Sequence, residues 1–263
     1  MPGIVGIITS KPTNSEEQVT RLMLETMLHE SFYSHGIFVE KHHGFFIGYL
    51  AIQNSFSDCM PVFNETKDIA FFLTGECFDD PEIQLELKNK GHKFNLGNAS
   101  YLVHRYEELG ENLFRELNGW FNGIILDLRL KRAFIFNDRF GIRRLYIYET
   151  PDFVAFATEA KALLRGFPEL REIDGQGIGE FLMYDCVLKN RTYFPRITLL
   201  PPASAWRYEK GKLEKESYLN LAEFENQPKL ELKQFSEELA YTFQKILPRY
   251  FQGEKIGLGL TGG

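Results

Sequence analysis

Cysteine is scarce in this 263-residue chain. The three present, Cys59, Cys77 and Cys186, are odd in number and widely spaced. They form no CxxC pair, so neither a disulfide framework nor a metal set is assigned, and they are expected to be buried thiols in a reducing cytosol. Long runs of one charge sign are also missing, although the net charge is -6. That balance argues against nucleic-acid and membrane-surface partners. No segment approaches the roughly 20 apolar residues of a membrane span. The N-terminus lacks the charged region, apolar stretch and small-residue cleavage site of a signal peptide, so a cytoplasmic location is expected. His42-His43 has no nearby Cys or acid pattern and reads as a polar turn.

Apolar residues make up 44% and aromatics 14% of the chain, enough for a sizeable core. The first eight residues, Met1-Pro2-Gly3-Ile4-Val5-Gly6-Ile7-Ile8, read as a short buried strand at the very terminus. Chain ends are ordinarily polar and loose. An apolar strand there sets residue 2 at the edge of a folded core, the geometry of an enzyme whose first side chain attacks while its own α-amine takes the proton.

Thr13-Asn14-Ser15 before Glu16-Glu17 signals a helix start, and Val19, Leu22, Met23 and Met27 carry it over 16–30. Strands are expected at 45–52 and 69–73, and helices from Pro81 to about Lys90 and from Ala99 to Leu109. A meander follows at 123–127, 133–137, 145–149 and 153–158, then helices at about 158–165 and 176–184. Asn226-Gln227-Pro228 reads as a linker, followed by a helix over 231–247 that breaks at Pro248. Lys255 to Leu260 is an apolar strand opening into Thr261-Gly262-Gly263, a weak phosphate-loop signal by itself. Meanders with helices in separate groups argue for an α+β fold of antiparallel sheets with helices outside.

Several segments, in order along the whole chain, resemble the class II glutamine amidotransferases, and asparagine synthetase in particular. Met1-Pro2-Gly3-Ile4-Val5-Gly6-Ile7 is similar to the family's Met-Cys-Gly-Ile-Val-Gly-Ile opening. Leu117-Asn118-Gly119-Trp120-Phe121, Asn137 to Tyr146, Ala155 to Leu163 and Leu200-Pro201-Pro202 resemble its Leu-x-Gly-Met-Phe, Arg-Asp-Arg-x-Gly-x-x-Pro-Leu-Tyr, Phe-Ala-Ser-Glu-x-Lys-Ala-Leu and Leu-Pro-Pro-Gly segments. Leu258 to Gly263 is similar to the Leu-Leu-Ser-Gly-Gly of the synthetase ATP loop. The resemblance implies a four-layer αββα sandwich of the Ntn-hydrolase type over 1–220. It implies a linker and the first helix and strand of an α/β ATP-pyrophosphatase domain over 221–263, cut off at its nucleotide loop. In a longer parent, Leu260, Thr261, Gly262 and Gly263 would hold ATP with Mg; the fragment itself is expected to hold no cofactor.

The resemblance also assigns the glutaminase site residue by residue. The nucleophilic Cys falls on Pro2, which has no thiol or hydroxyl. The Arg that clamps the glutamine α-carboxylate falls on Tyr49, in the segment with Leu50 and Ile52. The Asn of the oxyanion site falls on Thr74, while Gly75 and Glu76 are retained. The Asp that pairs with the α-ammonium falls on Asn98. The expected protein is a ligase-family scaffold that does not hydrolyse glutamine, with a small-molecule substrate in the parent and a homodimer among the allowed assemblies. The alternatives are a non-catalytic binding or assembly module whose pocket is lined by Tyr49, Thr74, Glu76 and Asn98, and a catalytic Pro2 amine of the tautomerase kind. Against the latter, Pro2 serves as a stiff strand start. Asp138-Arg139 and Glu159-Lys161 read as an internal ion-pair framework.

Overall fold

The computed structural model describes residues 2–220, 222–251, 257 and 259. The terminal strand is the middle of the first sheet. β1 (Gly3–Thr9) is buried along its whole length. It pairs antiparallel with β3 (Phe45–Ile52) on one side and β9 (Phe153–Ala157) on the other. With β2 (Tyr33–Glu40), β8 (Tyr146–Glu149) and β10 (Thr198–Leu199), the order is β10-β8-β9-β1-β3-β2. The second sheet runs β12-β11-β7-β6-β5-β4. Its strands are β4 (Val62–Phe63), β5 (Ile69–Cys77), β6 (Gly119–Asp127), β7 (Arg132–Asn137), β11 (Ala205–Glu209) and β12 (Lys212–Glu214).

Strand side chains alternate between faces, and here both faces of both sheets are covered. Ile4 and Ile8 of β1 point between the sheets, against Ala70 and Phe72 of β5 and Ile124 and Leu126 of β6. Val5 and Ile7 point outward to Met23 and Leu24 of α1 (Glu16–Glu25) and Ala162 and Leu163 of α5 (Ala160–Gly166). On the other outer surface, Phe71 and Leu73 of β5 meet Leu87 of α2 (Pro81–Asn89), Leu102 and Tyr106 of α3 (Leu102–Leu109) and Leu113 of α4 (Leu113–Glu116). The layers are α, β, β, α. Each fully buried large apolar side chain contributes roughly 1.5–3 kcal/mol, and double coverage explains why β1 and β5 read as continuous apolar runs rather than alternating ones.

Several elements differ from the sequence expectation. β2 is an edge strand carrying Ser34, His35 and Gly36 at half-buried or exposed positions, too polar for an apolar strand pattern. The first helix ends at Glu25 rather than near 30. β5 runs on through Thr74-Gly75-Glu76 to Cys77 because it stays paired with β6 as far as Gly119. After α6 (Gly175–Tyr184) and α7 (Ala222–Glu225), the last helix, α8 (Leu232–Tyr250), passes through Pro248 instead of breaking there. The proline forfeits a single backbone bond near the helix end. The final turn is held from outside: Arg249 pairs with Asp80 at 2.8 Å, and the Tyr250 ring lies 4.7 Å from that of Phe78. Apart from Gly257 and Gly259, the strand expected at 255–260 lies outside the described residues.

The cysteines differ as well. Cys59 and Cys77 are partly buried and Cys186 is exposed. Burial pushes the Cys59 thiol up to about 11 and the Cys77 thiol well above its usual value. Among the described residues, no helix is long and apolar enough to cross a membrane.

Candidate functional site

The head of β1 opens into a cavity of about 730 Å³ lined by Pro2, Thr74, Asn122, Arg143, Glu159 and Lys161, among others. Each wall has a local cause. Pro2 sits where β1 begins, and Gly3 follows because Thr158 approaches so closely that a Cβ at Gly3 would lie 1.8 Å from the Thr158 hydroxyl. Thr74 and Asn122 are direct cross-strand partners on β5 and β6, and Asn122 in turn faces Asn137 on β7. A row of polar side chains therefore crosses the second sheet at the cavity floor.

The row is only partly satisfied. Asn137 donates to the carbonyls of Leu200 and Pro201 and accepts from the backbone N–H of Ser204. Asn122 donates to the Arg144 carbonyl at 3.1 Å. Among the described residues, its Oδ1 and the Thr74 hydroxyl are buried with no hydrogen-bond partner. Buried polar atoms are nearly always paired, so these two mark a place where a polar group would be held.

The roof is the loop after β7. Asp138 is fully buried, and its carboxylate accepts the backbone N–H groups of Phe140, Ile142 and Arg143. This folds the loop back and sets Arg143 and Arg144 at the cavity. Among the described residues, neither guanidinium forms an ion pair. The expected Asp138–Arg139 pairing is not what forms, since Arg139 donates to the Arg115 carbonyl instead. The expected Glu159–Lys161 pair does form, at 2.7 Å, and borders the cavity with His29 nearby. Burial works against the charge on Glu159, yet Lys161 is among the partners that hold its carboxyl below the usual range.

The remaining residues assigned from the sequence lie elsewhere. Tyr49 stands on β3 opposite Ile4 and is packed between the sheets near Phe72, where burial raises its phenol. It does not line the 730 Å³ cavity. The Leu50 side chain is buried on the outer face against α1, and Ile52 is exposed. Gly75 adopts φ +113°, and a Cβ there would meet the Trp120 carbonyl at 1.9 Å, so the strand pairing itself demands glycine. Glu76 borders a second cavity of about 270 Å³ with Asp79, Gly97, Tyr101, Arg249 and Tyr250. Asn98 caps a helical turn, its side chain accepting the Ser100 N–H at 3.0 Å. The structure thus brings Pro2 and Thr74 together and leaves Tyr49, Glu76 and Asn98 outside that cavity. Leu260, Thr261, Gly262 and Gly263 lie outside the described residues.

The profile of a family described as glutamine amidotransferase domain matches residues 1–219. The chain belongs to that family. It is 26% identical over 78% of its length to asparagine synthetase 1 (glutamine-hydrolysing) of Bacillus subtilis, and 28% identical over 62% to asparagine synthetase 2 of the same organism. Over 37% of the chain it is 40% identical to the asparagine synthetase of Triphysaria versicolor. It spans a third or less of the length of these relatives, covering 33%, 22% and 17% of them respectively. Its fold is similar to that of the Bacillus subtilis glutamine phosphoribosylpyrophosphate amidotransferase complexed with ADP and GMP. The TM-score is 0.60 at 14% identity, over 82% of this chain and 49% of that one. The two antiparallel sheets with helices outside are the Ntn-hydrolase glutamine amidotransferase fold.

Sequence reading missed Asn122, Arg143 and Arg144 as site residues of this amidotransferase domain. Asn122 lies just after Leu117 to Phe121, and Arg143 and Arg144 fall within the Asn137 to Tyr146 segment, but only the β5–β6–β7 register and the Asp138 turn aim them at one space. Replacing Asp138 by Ala would strand three backbone donors, and the chain is expected to lose about 2–4 kcal/mol of stability. Denaturant unfolding of Asp138→Ala beside the unaltered chain checks this, and equal midpoints would contradict the anchoring role.

Proposed function

We propose that this chain is the glutaminase-like domain of an asparagine-synthetase-type ATP-dependent amide-forming ligase, and that it does not itself hydrolyse glutamine. The carrying observation is Pro2 at the head of β1, facing the cavity where a nucleophile would be needed. Covalent catalysis requires a thiol or hydroxyl at that place, and proline supplies neither. The charged groups that would fix a free amino acid are replaced too, by Tyr49 and Asn98. Each charge-assisted hydrogen bond so lost removes about 1.5–3 kcal/mol of binding. Residues 221–263 are read as the linker and beginning of the ligase domain, where ATP with Mg would act. The residues assigned to the nucleotide lie outside the described ones.

A second reading, a non-catalytic small-molecule-binding module, is favoured by the unpartnered Thr74 hydroxyl and Asn122 Oδ1 beneath Arg143 and Arg144. That combination suits a small anion bearing a hydrogen-bond donor. Thermal melting with millimolar hydroxy acids and phosphate esters is expected to raise Tm by about 2–4 °C for a fitting ligand. Arg143→Gln is expected to abolish the shift, and the absence of a shift with every ligand would count against this reading.

For the principal reading, ammonia and glutamate release from glutamine are measured for this chain and for Pro2→Cys with Met1 removed. Neither protein is expected to exceed the blank. Turnover by the unaltered chain would refute the proposal, and turnover by Pro2→Cys would show that the pocket around residue 2 still recognises glutamine.

A further inference from the structure

Far from the cavity, four metal-ligating side chains converge from separate segments. Glu65 comes from the turn between β4 and β5, His92 from the loop after α2, and His104 and Glu107 from successive turns of α3. One ligand atom from each lies within 4.8 Å of every other. Among the described residues, this is the one group of three or more His, Cys, Asp or Glu so arranged. We propose that Glu65, His92, His104 and Glu107 form a binding site for one divalent transition-metal ion, with Zn²⁺ the ion that fits best.

The spacing of the four groups supports the assignment. Zn–N and Zn–O bonds of about 2.0–2.2 Å place neighbouring ligands about 3.3 Å apart in a tetrahedron. Here His104 Nδ1 lies 2.9 Å from Glu107 Oε2 and 3.4 Å from Glu65 Oε2. His92 Nδ1 lies 3.8 Å from the other oxygen of Glu65, Oε1, and 3.9 Å from Glu107 Oε2. Every pair of ligand atoms lies within 4.8 Å, so side-chain adjustments of up to about 1.5 Å would bring all four to tetrahedral spacing. His104 and Glu107 are three residues apart, on one helix face. Two imidazoles and two carboxylates in a tetrahedral frame suit Zn²⁺ better than the all-oxygen sets preferred by Mg²⁺ or Ca²⁺.

The surroundings are those of a held site. Metal-binding imidazoles ordinarily give their other ring N–H to a carboxylate or carbonyl. The opposite nitrogen of His92, Nε2, faces Glu108 at 3.2 Å, and Glu108 is steadied by Lys90. Asn64 donates to Glu107 Oε1 at 2.9 Å, leaving Oε2 toward the histidines. The Lys93 backbone N–H donates to Glu65 Oε1. The His104 side chain is only 2% exposed, and its ring lies 4.6 Å from that of His92 and 5.7 Å from that of Phe94, which limits its rotation. A bound ion would tie the β4–β5 turn and the loop after α2 to α3, a structural clip on the outer helical layer.

The chelator-stripped chain titrated with Zn²⁺ is expected to take up one equivalent by calorimetry. Co²⁺ in its place is expected to show the intense visible bands of tetrahedral coordination. His92→Gln and Glu65→Gln alter partly or largely exposed side chains and leave the core intact, and each is expected to weaken Zn²⁺ binding at least tenfold. A His42→Gln/His43→Gln variant at the polar turn is expected to bind as the unaltered chain does. Absence of Zn²⁺ binding in the micromolar range would overturn the proposal. So would an octahedral Co²⁺ spectrum, or full binding by folded His92→Gln and Glu65→Gln.

Discussion

The architecture depends on one constraint: the first strand of the chain is also the middle of a sheet, and both of its faces are buried. β1 has neighbours on each edge, the second sheet on one face, and α1 and α5 on the other. A strand so enclosed cannot slip by one residue without exchanging its two buried faces. Residue 2 is therefore placed by the same contacts that stabilise the core. In a nucleophile-bearing domain, that arrangement sets the attacking group at the cavity mouth. Here it sets Pro2 there, at the wall of the 730 Å³ cavity.

Tyr49 is a phenol tucked between the sheets and Asn98 an amide engaged in capping a helical turn, and neither lines the cavity. Two guanidiniums and a lysine remain around the rim, and the Thr74 and Asn122 oxygens at the floor are without partners. The cost of leaving such atoms unpaired is about 1–3 kcal/mol each. The site is therefore polar and roomy.

Much of the fold was legible in the sequence because the signals were local. The apolar runs of β1, β3 and β5 reflect burial on both faces. Asp80 before Pro81 is a helix start that the structure realises, with the Asp80 side chain accepting the Glu82 N–H. β2 was not legible, since an edge strand can carry Ser34, His35 and Gly36 at little cost. The passage of α8 through Pro248 was hidden as well, because it rests on contacts of Arg249 and Tyr250 with residues far away in sequence.

The site divides along the same line. Of the residues assigned from motif resemblance, Pro2 and Thr74 meet at the cavity, whereas the pairing of Thr74 with Asn122 needs the β5–β6 register, and Arg143 and Arg144 need the Asp138 turn. The histidine–glutamate cluster draws on three separated segments, and only the His104-x-x-Glu107 spacing hinted at it. The most direct test of the central claim is a calorimetric titration of this chain with L-glutamine, independent of any turnover. The account predicts no saturable binding through the millimolar range. Saturable one-to-one binding that weakens on Thr74→Ala would contradict it, because the cavity at the head of β1 would then still be a glutamine site.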